Sequence, residues 1–294
     1  MTGEKLHNHI RYYLRLSKLR IMLPVSLTGF TGYFLFKPVI DFGILLVSLG
    51  VFLVAVSASV LNQLQETDID IRMNRTRNRP LPAKQITSAG AMIFFALCFL
   101  SGMMLLYFAG NFSAAVLALF AVGWYNGVYT GLKKVTAFAV IPGALTGAIP
   151  PLIGWVAAGG NVLDKTALSL SVLFFIGQIP HFWLLMLKYD KEYRNAGIPT
   201  LTGLLPRKKV NILIFGFVIF SALAALSLCY FEIISSQYLN AALIMISVLL
   251  IWQFTGLIRN IVDADTTGKY SRLLDVYYLL ILLLLISDRL MSQA

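Results

Sequence analysis

The sequence predicts an all-α integral membrane protein, a bundle of about nine transmembrane helices. Two observations carry that fold class. The 294 residues are 58% hydrophobic and 13% charged, with a mean hydropathy of +0.78, well outside the composition of an ordinary soluble domain. The apolar residues also gather in runs close to the roughly 20 residues that a helix needs to cross a bilayer, and the connectors alternate between nearly uncharged and basic.

A basic head, residues 1–18, precedes the first run, and residues 19–294 read as a single transmembrane domain. No apolar run starts before Leu19, which favours a retained anchor over a cleaved signal peptide; His7 and His9 fall in this flexible head. Spans are expected at 19–36, 42–62, 88–109, 113–129, 137–157, 167–187, 210–230, 238–258 and 273–288. Each is bounded by polar or turn-forming residues. In the fifth, Pro150-Pro151 with Gly143, Gly147 and Gly154 around it predicts a broken or closely packed helix, a break being tolerated where backbone lines a cavity. Cys98 and Cys229 lie inside the third and seventh spans, with neither zinc spacing nor redox pairing, and read as small buried hydrophobes.

Charge sets the orientation. All but three of the 24 Lys and Arg, namely Lys37, Lys165 and Arg289, lie in the head (taken to Arg20) or in the even-numbered connectors. The positive-inside rule then places the amino terminus in the cytoplasm and the carboxyl terminus outside. The net charge of +11 is therefore topology and contact with anionic lipid, with a share for an anionic substrate, and not a nucleic-acid surface.

The chemistry concentrates after the second span. Asn62-Gln63-Leu64-Gln65-Glu66-Thr67-Asp68-Ile69-Asp70 is followed by Arg72, Arg75, Arg77 and Arg79. Charges beside hydrocarbon are costly unless paired, hydrated or metal-bound, so the stretch is a functional-site candidate by default. Asn62, Glu66 and Asp70 recur every four residues and line one face of a helix; Asp68 falls off that face. A second polar segment, Lys188-Tyr189-Asp190-Lys191-Glu192-Tyr193-Arg194, lies four crossings later, on the same membrane side. Carboxylates and an amide beside Arg72, Arg75, Arg77, Arg79, Lys133, Lys134 and Lys188 are what a Mg²⁺-bound diphosphate requires, since Mg²⁺ takes hard oxygen ligands and shares them with substrate phosphates. Tyr129 can add a hydrogen bond. The bland alternative is a polar loop closed by its own salt bridges. No glycine-rich phosphate loop of the nucleotide-hydrolase type is present.

His181, in Gln178-Ile179-Pro180-His181-Phe182-Trp183, lies within the sixth span. Such a histidine is a base, a haem ligand or a partner for a neighbouring helix carbonyl, and position alone favours the last. Aromatic residues near the basic connectors, Trp124, Tyr125, Tyr129, Trp155, Phe182, Trp183, Tyr189 and Tyr193, read mainly as an interfacial belt. A few of them could face an isoprenoid chain or a developing carbocation.

These segments together resemble a known family. Asn62-x3-Glu66-x-Asp68-Ile69-Asp70-x2-Met73-x-Arg75-Thr76-x2-Arg79-Pro80 resembles the first motif of the UbiA superfamily of intramembrane prenyltransferases, in the form found in its protohaem IX farnesyltransferase branch. Tyr129-Thr130-Gly131-Leu132-Lys133-Lys134-x-Thr136 is similar to that branch's fourth connector. Gly147-Ala148-Ile149-Pro150-Pro151-Leu152-Ile153-Gly154-Trp155 is similar to its fifth span, and Pro180-His181-Phe182-Trp183 through Glu192-Tyr193-x2-Ala196-Gly197-Ile198-Pro199 to its second acidic motif.

The resemblance implies a helix bundle in a bacterial plasma (inner) membrane, with a central cavity opening to the cytoplasmic side and to lipid. It implies Mg²⁺ as cofactor and farnesyl diphosphate as donor, with Asn62, Glu66, Asp70 and Glu192 as catalytic metal-site residues and Asp190 as an alternative second-motif ligand. Arg75, Arg79, Lys133, Lys188 and Tyr129 would hold the diphosphate, and His181 and Trp183 the acceptor, a haem B whose vinyl group is farnesylated. Glu66 and Glu192 stand where the family generally has Asp, and Ala139 where the haem branch commonly has Asn. Competing readings are a prenyltransferase for a quinone precursor or other aromatic acceptor, a cation-coupled transporter and a haem-bearing electron carrier. The acids gathered beside arginines at one membrane face argue against the transporter, and a single histidine within the spans argues against the electron carrier.

Overall fold

The computed structural model describes residues 3–259 and 264–292; both chain ends as far as Thr2 and from Gln293, and 260–263 in the eighth connector, lie outside the described residues. Every regular element among the described residues is helical. Helix α1 (Gly3–Leu16) is amphipathic rather than membrane-like. The head therefore does not end as a loose tail. Leu16 is buried, its carbonyl accepts from Gln63 Nε2 at 2.8 Å, and Arg15 Nη2 donates to the Asn78 carbonyl at 2.9 Å.

The membrane helices follow as α2 (Leu19–Phe36), α3 (Phe42–Gln65), then a short α4 (Thr67–Arg72), α5 (Ser88–Gly110), α6 (Phe112–Leu132), α7 (Ala137–Ala157) and α8 (Lys165–Lys188). Two short helices, α9 (Asp190–Asn195) and α10 (Leu201–Leu204), lead to α11 (Arg207–Tyr230), α12 (Gln237–Arg259) and α13 (Ala264–Met291). Polar caps start several of them: Asp41 accepts from the Ile44 N–H, Thr87 from Gly90 and Asn111 from Ala114, each satisfying a helix-end donor that hydrocarbon could not. Eight of the described helices are long and apolar enough to cross a membrane. The ninth expected span, 273–288, lies within the 28 residues of α13.

Helix α7 is central, with 67% of its apolar window buried, the highest share of the eight. It packs against α2, α6 and α8, while α3 packs against α2 and α5; α11 and α13 close the other side against α8, with α12 packed on both of them. Of the two geometries expected for the fifth span, the closely packed one is present: α7 runs unbroken through Pro150-Pro151. A Cβ on Gly154 would lie 1.8 Å from the Gly29 carbonyl oxygen, and one on Gly32 2.0 Å from that of Pro151. Helices α2 and α7 thus touch backbone to backbone, the contact that small residues allow between membrane helices.

Candidate active site

Four helix ends meet at one pole of the bundle. Helix α3 ends at Gln65 and Glu66 bends the chain (φ −117°, ψ 11°) into α4. The bend does not cost the register, because Glu66 N donates to the Asn62 carbonyl at 3.0 Å and Asp70 N to the Glu66 carbonyl at 2.8 Å. Asn62, Glu66 and Asp70 are accordingly all buried, while Asp68 points outward and is exposed.

Each buried acid meets a cation. Lys133, just past the end of α6, reaches the Glu66 carboxylate at 2.5 Å. Arg79 Nη1 bridges both oxygens of Asp70 at 2.9 and 2.7 Å. Asn62 Nδ2 donates to Thr130 Oγ1 at 3.1 Å, and Thr130 in turn donates to the Tyr125 carbonyl at 2.8 Å. The last turns of α6, residues 123–129, are wound as a π-helix, which rotates Asn126 and Tyr129 inward; such insertions recur at functional sites. Tyr129 lies with its ring 5.6 Å from Lys133 Nζ.

The second acidic segment joins the first at one residue, Arg75. Glu192 Oε2 accepts the Arg75 backbone N–H at 3.0 Å, Arg75 Nη2 donates to the Tyr193 hydroxyl at 3.2 Å, and the Arg75 guanidinium lies 4.9 Å from the Tyr189 ring centroid. Burial pushes the Tyr193 phenol above its ordinary range. Asp190 turns the other way: it accepts from Thr202 Oγ1 and lies 3.9 Å from Arg194. Lys188 stands over Tyr189 at 5.4 Å. Arg72, Arg77 and Lys134 are exposed.

Lys18 belongs to this corner, although no motif or spacing in the sequence marked it. It occupies the turn between α1 and α2 in a left-handed conformation (φ 47°, ψ 48°), uncommon for a residue with a side chain. Burial first, then the like charge of Arg79, pulls its ammonium from 10.5 down to about 7, against the opposing pull of Asp70. Its one visible signal was being the last lysine before the first span.

His181 and Trp183 have partners other than Glu66, Asp70 and Glu192. His181 Nδ1 is 3.1 Å from Asp275 Oδ1 on α13. Trp183 is fully buried, edge-on to Phe217, beside a cavity of about 10 Å³ whose lining includes Asp190, Thr200 and Thr202. Phe182, between them, approaches Tyr129 with ring centroids 6.1 Å apart.

Among the described residues no cluster of three or more acidic, His or Cys side chains is gathered to hold an ion. The donor chemistry still fits a hard divalent cation. Asn62, Glu66 and Asp70 present oxygens from successive turns of one face, and Lys133 and Arg79, which now neutralise Glu66 and Asp70, are groups able to pair with phosphate oxygens instead.

Comparison with known proteins identifies the family. Residues 25–283 match the model of the UbiA prenyltransferase family. The chain is 32% identical to the protoheme IX farnesyltransferase of Oleidesulfovibrio alaskensis over 95% of this chain and 96% of that one. It is 32% identical to that of a Synechococcus species over 92% and 82%, and 42% identical to that of Geobacter sulfurreducens over 52% and 56%. In fold it resembles a digeranylgeranylglyceryl phosphate synthase structure (TM-score 0.77, 22% identity, covering 97% of this chain and 99% of that one). A UbiA homolog from Archaeoglobus fulgidus bound to GPP and Mg²⁺ is similar as well (TM-score 0.66, 13% identity, covering 93% and 99%). The chain is a multi-pass integral membrane enzyme and belongs to the UbiA prenyltransferase family.

Proposed function

We propose that this enzyme transfers the farnesyl group of farnesyl diphosphate to a vinyl group of haem B in a Mg²⁺-dependent reaction, giving haem O for haem–copper oxidase biogenesis. The observation that carries the reading is the contact of Glu192 with the Arg75 backbone, which brings the second acidic segment against the loop that follows Asp70. The names of the relatives support the haem acceptor. The charge pattern supports a corner facing the cytoplasm, the side to which a substrate cavity would open.

In this reading Asn62, Glu66, Asp70 and Glu192 hold Mg²⁺, which supplies Lewis-acid charge to the leaving diphosphate. Glu192 is preferred to Asp190 because its carboxylate meets the first segment at Arg75, whereas Asp190 turns to Thr202 and Arg194. Arg75, Arg79, Lys133 and Lys188 bind the diphosphate oxygens, with Tyr129 nearby. As the allylic C–O bond breaks, its electron pair leaves with the diphosphate, whose growing charge these cations stabilise. The farnesyl cation is captured by the vinyl terminal carbon; water then adds at the inner carbon and loses its proton, leaving the hydroxyethylfarnesyl substituent. The rings of Tyr129 and Phe182 line the path between the diphosphate corner and His181 and stabilise positive charge passing along it.

The experiment is turnover of the purified protein with labelled farnesyl diphosphate, Mg²⁺ and haem B, followed by mass spectrometry. Farnesylated, hydrated haem is the expected product. Absence of that product alongside prenylation of an aromatic acid would replace the haem reading with the quinone-precursor one.

A further inference from the structure

We infer that Asp275 is a positioning residue that holds His181 through Nδ1, so that Nε2 is presented as the axial ligand of the haem iron. The inference rests on the haem-acceptor reading above.

Asp275 lies on α13 and His181 on α8, with Nδ1 and Oδ1 3.1 Å apart. A carboxylate inside a membrane bundle is expensive unless paired, and 58% of the Asp275 side chain is open, so this is not a pair sealed in a core to bolt two helices together. The His181 side chain is likewise open, at 33%. A carboxylate 3.1 Å from Nδ1 favours the proton on that nitrogen and leaves the lone pair on Nε2, the tautomer that binds metals. Helix packing alone requires neither the charge nor the opening.

The position suits the acceptor. His181 lies seven residues before Lys188, about 10 Å along a helix, and so is set back from the polar pole. The link to that pole is aromatic: Phe182 approaches Tyr129, and Tyr129 lies against Lys133, which holds Glu66. The vinyl groups sit on the rim of the porphyrin, not at its centre. A haem anchored by its iron at His181 can therefore extend a vinyl edge past Phe182 towards the diphosphate corner.

The test uses the full-length protein in detergent with haem B, comparing wild type, Asp275→Asn and His181→Ala. The readouts are the ferrous iron–histidine stretch by resonance Raman, the haem dissociation constant, and binding of farnesyl diphosphate as a check on folding. Wild type should show the iron–histidine band. Asp275→Asn should shift that band to lower frequency and weaken haem binding about tenfold or more, and His181→Ala should abolish the band; both variants should still bind farnesyl diphosphate. An unshifted band and unchanged haem affinity in Asp275→Asn would overturn the role of Asp275. An identical haem spectrum in His181→Ala would overturn ligation while leaving the haem reading intact. Wild-type protein that binds farnesyl diphosphate but no haem would remove both.

Discussion

Glu192 accepts the backbone N–H of Arg75 at 3.0 Å, tying together residues 117 positions apart in the sequence. A hydrogen bond to a charged acceptor contributes about 1.5–3 kcal/mol, enough to order the arginine-rich loop against α9. Glu192→Ala should release the loop, speeding tryptic cleavage between Arg72 and Arg79 and raising the KM for prenyl diphosphate. Glu192→Gln retains an oxygen for Arg75 and should restore resistance to trypsin without restoring turnover. Equal recovery of both by Gln would show that Glu192 acts only on the loop.

Lys133 and Glu66 form a mostly buried ion pair. Removing one partner strands the other, a loss of about 3–5 kcal/mol. Lys133→Met should lower the thermal midpoint markedly in detergent, and adding Glu66→Gln should recover much of it, with neither protein active. A double variant no more stable than Lys133→Met would contradict the pairing.

The Lys18 ammonium, held near 7 in the fold, gives a pH dependence of definite sign. A depressed pKa means that the folded state binds fewer protons than the unfolded chain between about 7 and 10.5. This group's contribution to stability is therefore fully present above 10.5 and is lost as pH falls towards 7. A bound diphosphate attracts that proton back, so affinity should be flat below pH 7 and should weaken as pH rises above it. Titration calorimetry of farnesyl diphosphate from pH 6 to 9, with wild type and Lys18→Met, checks this: wild type should lose affinity above pH 7 and take up protons on binding, and the variant should do neither to the same extent.

The α2–α7 contact predicts a purely structural lesion. Gly154→Ala would drive a Cβ to 1.8 Å from the Gly29 carbonyl oxygen, so the helices must part; overpacking of this kind costs about 1–3 kcal/mol. The thermal midpoint should fall, while the KM of the folded fraction stays near that of wild type.

Much of the fold was legible because hydrocarbon leaves little choice: a run of apolar residues must be helical to satisfy its own backbone. The expected 19–36 span coincides with α2, and 137–157 with α7. Helix ends were less legible. Helix α3 continues to Gln65, beyond the apolar limit at residue 62, since polar residues can extend a helix past the hydrocarbon. The four-residue spacing of Asn62, Glu66 and Asp70 read as one face of a helix, and the structure buries all three side chains even through a bend at Glu66. What sequence could not convey was pairing across helices. Lys18 joins the corner because α1 is pinned by Gln63 and Asn78, and Asp275 meets His181 because α13 packs on α8. Neither relation has a periodicity to betray it.

The central claim is that the two acidic segments hold one Mg²⁺–diphosphate site. Its most direct measurement is equilibrium binding of a non-ionisable farnesyl diphosphate analogue, with and without Mg²⁺, to wild type, Asp70→Asn and Glu192→Gln. Binding to wild type should be tight and Mg²⁺-dependent, and each substitution, one from each segment, should abolish the Mg²⁺-dependent part while the protein stays folded. Retention of full Mg²⁺-dependent affinity by either variant would contradict a shared site.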